Sequence, residues 1–144
     1  MPTTALTVAL AGELRGAVMR FSRRLRRERP EYAELSVSHL SALASLGKAG
    51  ALSPRELAET ERVQPPSMTR IVARLEELGL VRRTPHPTDG RQVVLAATPA
   101  GRELLDESRR LREAWLARQL LALTPAERAT LRDAAVLLDR LAAS

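Results

Sequence analysis

The fold is decided by one stretch, residues 53–98, which reads SPRELAETERVQPPSMTRIVARLEELGLVRRTPHPTDGRQVVLAAT. It opens with a signal for the start of a helix. Ser53 can accept a hydrogen bond from the backbone N–H of Glu56, Pro54 suits the first helical position, and the Glu56 side chain can reach back. A short helix is therefore predicted to begin at residue 54, and a polar break before residue 65 predicts a turn after it.

A second helix in this stretch separates into an apolar and a polar face. It is predicted to begin at the proline pair 65–66 and to end at Gly79, which tolerates the left-handed conformation of a helix C-terminus. Helical spacing turns one apolar stripe inward: Met68, Ile71, Val72, Leu75 and Leu78. The outward side then carries Pro66, Thr69, Arg70, Ala73, Arg74 and Glu77. Such a face suits a helix in the DNA major groove, although a solvated amphipathic helix would present the same residues.

A projecting hairpin is predicted after the second helix. β-type runs at residues 80–84 and 92–97 flank Pro85-His86-Pro87-Thr88-Asp89-Gly90, which is too long for a two-residue turn. Residues 51–52 form an extended link that could add a third strand. Three arginines line the hairpin, namely Arg82, Arg83 and Arg91. A helix-turn-helix followed by an arginine-lined hairpin is the layout of a winged helix, whose wing can place arginine in the minor groove.

A longer signature runs through the same residues: Leu75-Glu76-Glu77-Leu78-Gly79-Leu80-Val81-x-Arg83, then Asp89-x-Arg91, then Thr98-x-x-Gly101. It resembles the signature of the MarR family of bacterial transcriptional regulators, and the resemblance extends over nearly the whole chain. It implies that Arg91 reaches into the minor groove and that Asp89 helps to hold the wing in shape. It also implies a regulatory cleft in which small aromatic acids or phenols bind in some relatives. Candidate ligand residues for such a cleft are Met19, Arg20, Ser22 and His39, with Arg20 placed to neutralise a carboxylate; a surface or packed role is the alternative for His39.

Amphipathic helices are predicted on both sides of the winged helix. The first runs from Leu6 to about Arg29, and five arginines near its end either contact DNA phosphates or, as we favour, complement the helix dipole. A second, before residue 50, is capped by Ser36 or Ser38. The last two span residues 99–121 and 125–141, and Thr124 with Glu127 forms another capping box.

The terminal helices expose more apolar surface than one small domain can cover. Residues 6–25 and 116–141 are therefore expected to pack against those of a second copy in a large two-fold interface. The operator would then be a pseudo-palindrome with half-sites about 10 base pairs apart. The predicted architecture is mainly α with a small β-wing, as one compact domain. It comprises an N-terminal dimerisation helix (1–35), a winged helix-turn-helix (36–98) and C-terminal dimerisation helices (99–144).

Composition limits the classes of function. The 144 residues carry a formal net charge of +6, supplied almost wholly by arginine, which favours a polyanionic partner. The absence of cysteine excludes thiol redox sensing and thiolate metal sites, and two separated histidines predict no metal site. The sequence contains no catalytic pair and no Gly-rich phosphate loop, so neither an enzyme nor a cofactor is expected. With neither a targeting segment nor a membrane span, a cytoplasmic protein is expected.

The sequence thus predicts a sequence-specific DNA-binding transcriptional regulator, a homodimeric repressor relieved by a small aromatic or phenolic ligand. We expect base-edge or adjacent phosphate contacts from Ser67, Thr69 and Arg70, and a backbone contact from Arg74. Arg82 or Arg83 would support the wing or touch phosphate. The full set of predicted DNA-binding residues is Pro66, Ser67, Thr69, Arg70, Arg74, Arg82, Arg83, Asp89 and Arg91. The alternative is a winged-helix module that binds only protein, for which the recognition face would be apolar rather than basic.

Overall fold

A computed structural model describes residues 2–31 and 35–144, which form six helices and a two-stranded sheet. The helices are α1 (Pro2–Leu25), α2 (Val37–Ala49), α3 (Pro54–Glu61), α4 (Pro65–Glu77), α5 (Pro99–Leu121) and α6 (Pro125–Ala142). Strands β1 (Val81–Pro85) and β2 (Val93–Ala97) pair antiparallel, with Val81 opposite Ala97 and Pro85 opposite Val93. The predicted mainly α fold with a small β-wing is confirmed.

The chain divides into two compact units. The winged-helix unit comprises Arg29–Arg110, and the end-helix unit comprises Met1–Glu28 together with Leu111–Ser144. Helix α5 begins in the winged-helix unit, and its residues from Leu111 onward belong to the end-helix unit. All buried hydrophobic side chains of the described ranges lie in the winged-helix unit.

The core of the winged-helix unit forms where α2, α3, α4 and the sheet meet. Its largest fully buried side chains are Leu43, Leu46, Leu57, Met68, Val72, Leu75, Leu80 and Leu95. The predicted inward stripe of α4 is confirmed, because three of its members are in this set and Ile71 and Leu78 pack against the core with partial exposure. Burial of this stripe fixes which face of α4 turns outward.

The helix starts follow local hydrogen-bonding chemistry. Both predicted capping boxes are formed, Ser53 with Glu56 and Thr124 with Glu127. Of the two candidate caps for α2, Ser36 is the one used, and its partner is His39 in place of the usual Glu or Gln. The His39 N–H donates to the Ser36 hydroxyl at 3.3 Å, and the Ser36 N–H donates to His39 Nδ1 at 3.1 Å. His39 is therefore a capping residue of α2.

The end of α4 is joined directly to the start of α5. Gly79 adopts φ 73°, and the N–H of Leu80 reaches the Leu75 carbonyl at 2.9 Å, which is the Schellman arrangement. The Leu80 carbonyl then accepts the N–H of Thr98 at 2.9 Å, and the Thr98 hydroxyl donates to the Gly79 carbonyl at 2.6 Å. The same hydroxyl accepts the N–H of Gly101 at 3.1 Å. Thr98 and Gly101 therefore lock the start of α5 against the turn that ends α4.

The helix and strand bounds depart from the prediction in three places. Helix α1 begins earlier, at Pro2, and ends at Leu25 instead of near Arg29. After Leu25 the backbone N–H groups of residues 27 and 28 donate to carbonyls three residues earlier instead of four, so the α-helix has ended there. Of the five arginines, only Arg23 and Arg24 therefore lie in its last turn and complement its dipole. The strands are 81–85 and 93–97 instead of 80–84 and 92–97, since residue 80 closes α4. The third strand is a single bridge from residue 52 to residue 95.

The end-helix unit has no buried hydrophobic side chain within the described ranges. All the exposed large hydrophobic residues of those ranges lie here except Val37 and Val93. On α1 they are Leu6, Val8, Leu10, Leu14, Val18, Met19 and Phe21, and on α6 they are Leu131, Val136, Leu137, Leu138 and Leu141. An exposed apolar surface of this extent marks an interaction site. Arg24 holds part of the unit together, because it pairs with Glu28 at 2.9 Å and lies 4.2 Å from the centre of the Trp115 ring.

Candidate nucleic-acid interface

The outward face of α4 presents the polar residues that the sequence analysis placed there. Pro66, Ser67, Thr69, Arg70, Ala73 and Glu77 are exposed, and Arg74 is half-buried. Among the residues that the structure describes, the Arg70 side chain makes no hydrogen bond or ion pair within the chain. Its guanidinium, with five N–H donors in a fixed fork, is therefore available to an acceptor outside the chain.

The start of α4 is suited to a phosphate group. Residues 65 and 66 are prolines without N–H groups, so Ser67 supplies the first backbone N–H of the helix. The N-cap Gln64 makes no side-chain capping bond. The Thr69 hydroxyl donates to the Pro65 carbonyl at 2.9 Å, which leaves its oxygen free to accept a further hydrogen bond. The positive end of the helix dipole and an exposed hydroxyl at Ser67 thus lie beside Arg70.

Arg74 lies one helical turn after Arg70 and has a different environment. Its Nη1 donates to the Glu77 carboxylate at 3.1 Å, an i,i+3 pair on the same helix. Its positive charge also reaches the start of α2. The pKa of His39 is lowered by partial burial and, to a smaller extent, by the charge of Arg74. Arg74 is thus held beside neighbouring groups of its own chain, whereas Arg70 is not.

The wing is tied to α4 through an ion pair. Arg83 Nε on β1 lies 2.8 Å from Glu76 Oε1 on α4, and both side chains are partly exposed. Because side chains alternate along a strand, Arg82 points to the opposite face of β1. Arg82 is exposed and forms no ion pair with any residue in the described part of the chain. Of the two arginines for which the sequence left the role open, Arg83 is the one that links wing and helix.

The tip of the wing is held by two side chains, Asp89 and His86. Asp89 Oδ1 accepts the backbone N–H of Arg91 at 3.1 Å, which is an Asx turn. His86 Nδ1 accepts the N–H groups of Thr88 and Asp89, both at 3.2 Å. From the sequence, His86 lies at the tip and has no predicted role. Its position between two prolines is the signal that could have suggested a structural role, because a residue before proline has a restricted backbone.

The four candidate ligand residues fall into two sets. Met19, Arg20 and Ser22 belong to the end-helix unit, where Met19 and Arg20 are exposed and Ser22 is half-buried. Met19 Sδ accepts from Arg15 at 3.6 Å and Ser22 Oγ accepts from Arg26 at 3.3 Å. His39 belongs to the winged-helix unit, and its Nδ1 is used in the α2 cap. Only the Nε2 edge of His39 is left for a ligand.

The described ranges contain neither a metal site nor a membrane-spanning helix. Residues 2–31 and 35–144 contain no group of three or more His, Asp or Glu side chains arranged to hold a metal ion. None of the helices that the structure describes combines the length and the apolar character needed to cross a bilayer.

Comparison with known proteins gives consistent matches. The family model described as "MarR family" matches residues 35–93. The chain is 50% identical over 129 residues to the HTH-type transcriptional regulator Mb0904 of Mycobacterium bovis, with 90% of each protein covered. It is 36% identical over 100 residues to the HTH-type transcriptional repressor MdtR of Bacillus subtilis, covering 69% of this chain and 64% of MdtR. The crystal structure of wild-type MarR from E. coli in its apo form superposes with a TM-score of 0.69 at 27% identity, covering 89% and 96% of the two chains.

Proposed function

Because this chain belongs to the MarR family of DNA-binding transcriptional regulators, whose members are not enzymes, we propose that it acts as a homodimeric repressor of a pseudo-palindromic operator. The observation that carries this proposal is the arrangement of α4. Its apolar stripe is buried, and Arg70 faces outward without a partner in the described chain, next to a wing lined by arginine. The relative MdtR is named as a repressor, which supports repression over activation.

The exposed apolar surface of the end-helix unit supports a dimer. Within the described part of their own unit, the leucine, valine and phenylalanine side chains of α1 and α6 are not buried in a core. A second copy would cover both helices in a two-fold interface, and the winged-helix units would then form a pair. Two α4 helices can occupy successive major grooves when their centres lie about 34 Å apart.

Each predicted DNA contact has a distinct role in this proposal. Ser67 and the start of α4 hold a phosphate, while Thr69 and Arg70 read base edges in the major groove. Pro66 shapes the helix start, and Arg74 lies over the backbone while paired with Glu77. In the wing, Arg91 enters the minor groove and Asp89 sets the backbone from which it projects. Arg82 contacts phosphate, and Arg83 positions the wing through Glu76.

The proposed function is tested by a gel shift on the DNA upstream of the protein's own gene, at physiological salt with competitor DNA. We expect a discrete complex that resists excess random DNA. Addition of the protein to a transcription reaction from that promoter should reduce transcript. Binding that competitor removes completely, or increased transcript, would contradict a sequence-specific repressor.

Replacing Arg70 with alanine should weaken operator binding by about 1–3 kcal/mol and relax discrimination at one base pair. The reason is that Arg70 can donate two hydrogen bonds to one guanine, a contact that random DNA does not reward. Binding isotherms on the operator, on its single-base variants and on random DNA measure the effect. Equal losses on operator and random DNA would show that Arg70 contacts only phosphate.

The two wing arginines should differ in their salt dependence. Arg82→Ala removes a phosphate contact, so the log–log slope of affinity against salt concentration should become shallower by about 0.9. Arg83→Ala breaks the pair with Glu76 instead, so affinity should fall while the slope is kept. The two variants are matched in chemistry and adjacent in sequence. A shallower slope for Arg83→Ala and an unchanged slope for Arg82→Ala would reverse the assignment.

The same proposal includes release by a small aromatic acid or phenol. Met19, Arg20, Ser22 and His39 are the residues proposed to recognise it, with the exposed Arg20 guanidinium neutralising a carboxylate. A ligand that favours a dimer with wrongly spaced α4 helices would lower operator affinity. Calorimetry with a panel of aromatic acids, with and without operator, tests this. We expect the protein to bind the ligand less tightly when operator DNA is present. Tighter binding of the ligand in the presence of operator would contradict release.

A further inference from the structure

The ring of His86 is the centre of the hydrogen bonds at the wing tip. Its Nδ1 lies 3.2 Å from the backbone nitrogens of both Thr88 and Asp89, and 3.2 Å from the Thr88 hydroxyl. The His86 N–H donates to the Gln92 carbonyl at 3.0 Å, across the loop. Side chain and backbone of this one residue therefore contact both halves of the loop that carries Arg91.

These contacts define the tautomer of the neutral ring. Two backbone N–H groups point at Nδ1, so Nδ1 carries a lone pair and the neutral ring holds its proton on Nε2. Protonation places a hydrogen on Nδ1 and turns it from an acceptor into a donor. The N–H groups of Thr88 and Asp89 then lose their partner at the same moment.

Loss of these two hydrogen bonds would affect Arg91 through Asp89. Asp89 is held from one side by the His86 ring, and its own carboxylate holds the N–H of Arg91 at 3.1 Å. Release of Asp89 frees the backbone that carries Arg91, the residue we assign to the minor groove. We propose that neutral His86 is the positioning residue that shapes the wing for sequence-specific binding, and that protonation of its ring undoes this. The proposal rests on the DNA-binding role assigned to the wing.

The charged residues on the elements next to the ring are Asp89 and Arg91 of the loop, Arg82 and Arg83 of β1, and Glu56 of α3. The pKa of Glu56 is lowered chiefly by the hydrogen bonds from Ser53 and, to a smaller extent, by the positive charge of His86. A protonated ring is thus attracted toward Glu56, while the N–H donors of the loop lose their acceptor.

Two variants distinguish the loss of the acceptor from the protonation of the ring. In His86→Asn the amide oxygen replaces Nδ1 as an acceptor but does not titrate, and in His86→Ala no acceptor is left. A duplex selected by the wild-type protein from a random-sequence library serves as operator. Its affinity is compared with that of random DNA at about pH 7.5 and about pH 5.5, which bracket the ordinary pKa of histidine.

We expect His86→Ala to lower the ratio of operator to random affinity about tenfold at both pH values. Wild type should show this loss only at the lower pH, and His86→Asn, which keeps His39, should show it at neither. A loss in His86→Asn on acidification equal to that of wild type, or an unchanged ratio in His86→Ala, would overturn the proposal. The ratio is used because added positive charge strengthens binding to all DNA alike.

A second readout does not depend on DNA. In free wild-type protein, the amide resonances of Thr88 and Asp89 should shift together with the titration of the His86 ring, and they should not shift in His86→Asn. Resonances that ignore the ring titration would overturn the role of His86 even if operator binding is intact. Failure of wild type to select any duplex would instead contradict the proposed function, and the amide titration would still decide the role of His86.

Discussion

Replacing Gly101 with alanine should lower the free energy of unfolding of the winged-helix unit by about 2–3 kcal/mol. A Cβ at this position would lie 2.3 Å from the carbonyl oxygen of Leu80 and 3.2 Å from a methyl group of Leu43. The Leu80 carbonyl is backbone, and it is fixed by the N–H of Thr98 at 2.9 Å. Relief of the clash requires α5 to move away from the turn that ends α4. Urea unfolding at a fixed protomer concentration measures the loss.

Gly47→Ala is the matched control for Gly101→Ala, since it adds the same methyl group to a helix of the same unit. The added Cβ would lie 2.7 Å from a methyl group at the end of the Leu105 side chain, which can rotate away. Alanine also has the better helix propensity. We therefore expect a change of less than about 1 kcal/mol, of either sign. Equal effects at the two positions would show that the junction of α4 and α5 is not the close contact described.

Replacing Leu138 with glutamate should dissociate the proposed homodimer and abolish binding to its operator. Leu138 lies within residues 116–141, which are expected to form the interface, and it is 37% exposed in the single chain. It belongs to the end-helix unit, so the substitution leaves the winged-helix core intact. In the proposed dimer the new carboxylate would be buried without a partner, at a cost of several kcal/mol. The dissociation constant of the dimer should rise by about a thousandfold or more. Sedimentation velocity over a range of concentrations measures it.

Ala129→Glu provides the control for the dimer prediction. Residue 129 is exposed on the same helix and lies nine residues before Leu138, which places it about 180° around the axis. It should leave both self-association and operator binding unchanged. Dissociation caused by Ala129→Glu but not by Leu138→Glu would place the interface on the other side of α6.

Two contacts on either side of Gly79 join α4 to its neighbours in the winged-helix unit. The Arg83–Glu76 ion pair joins the first strand of the wing to α4, and the Thr98 hydroxyl joins the end of α4 to the start of α5. A change in the position of the start of α5 would therefore be transmitted to α4 and the wing.

The parts of the fold that the sequence predicted are those encoded by neighbouring residues. Capping boxes, the apolar stripe of α4 and the glycine that ends it each depend on residues within about two helical turns, so the pattern alone predicts them. Arg62 is an exception, because it adopts φ 54° at the end of α3 without a glycine or asparagine to signal it. The Val63 N–H donates to the Ala58 carbonyl at 3.0 Å and the Arg62 N–H to the Glu59 carbonyl at 3.2 Å, and this Schellman pair of bonds favours the left-handed conformation of Arg62.

The parts of the candidate site that sequence did not resolve depend on contacts between elements. Arg82 and Arg83 are equivalent in the sequence, and only the pleat of β1 and the nearby Glu76 distinguish them. The capping role of His39 depends on its pairing with Ser36, and histidine stands where the usual capping box has Glu or Gln. No role for His86 could be predicted from the sequence, because the groups that donate to its ring are backbone N–H groups, which nearly every loop residue carries.

In the proposed homodimer, two copies of the chain hold their α4 helices at the spacing of successive major grooves. This spacing is tested by a hydroxyl-radical footprint of the wild-type protein on its selected operator. We expect two symmetric protected segments whose centres lie about 10 base pairs apart, saturating at two chains per duplex. A single protected segment saturated by one chain would contradict it.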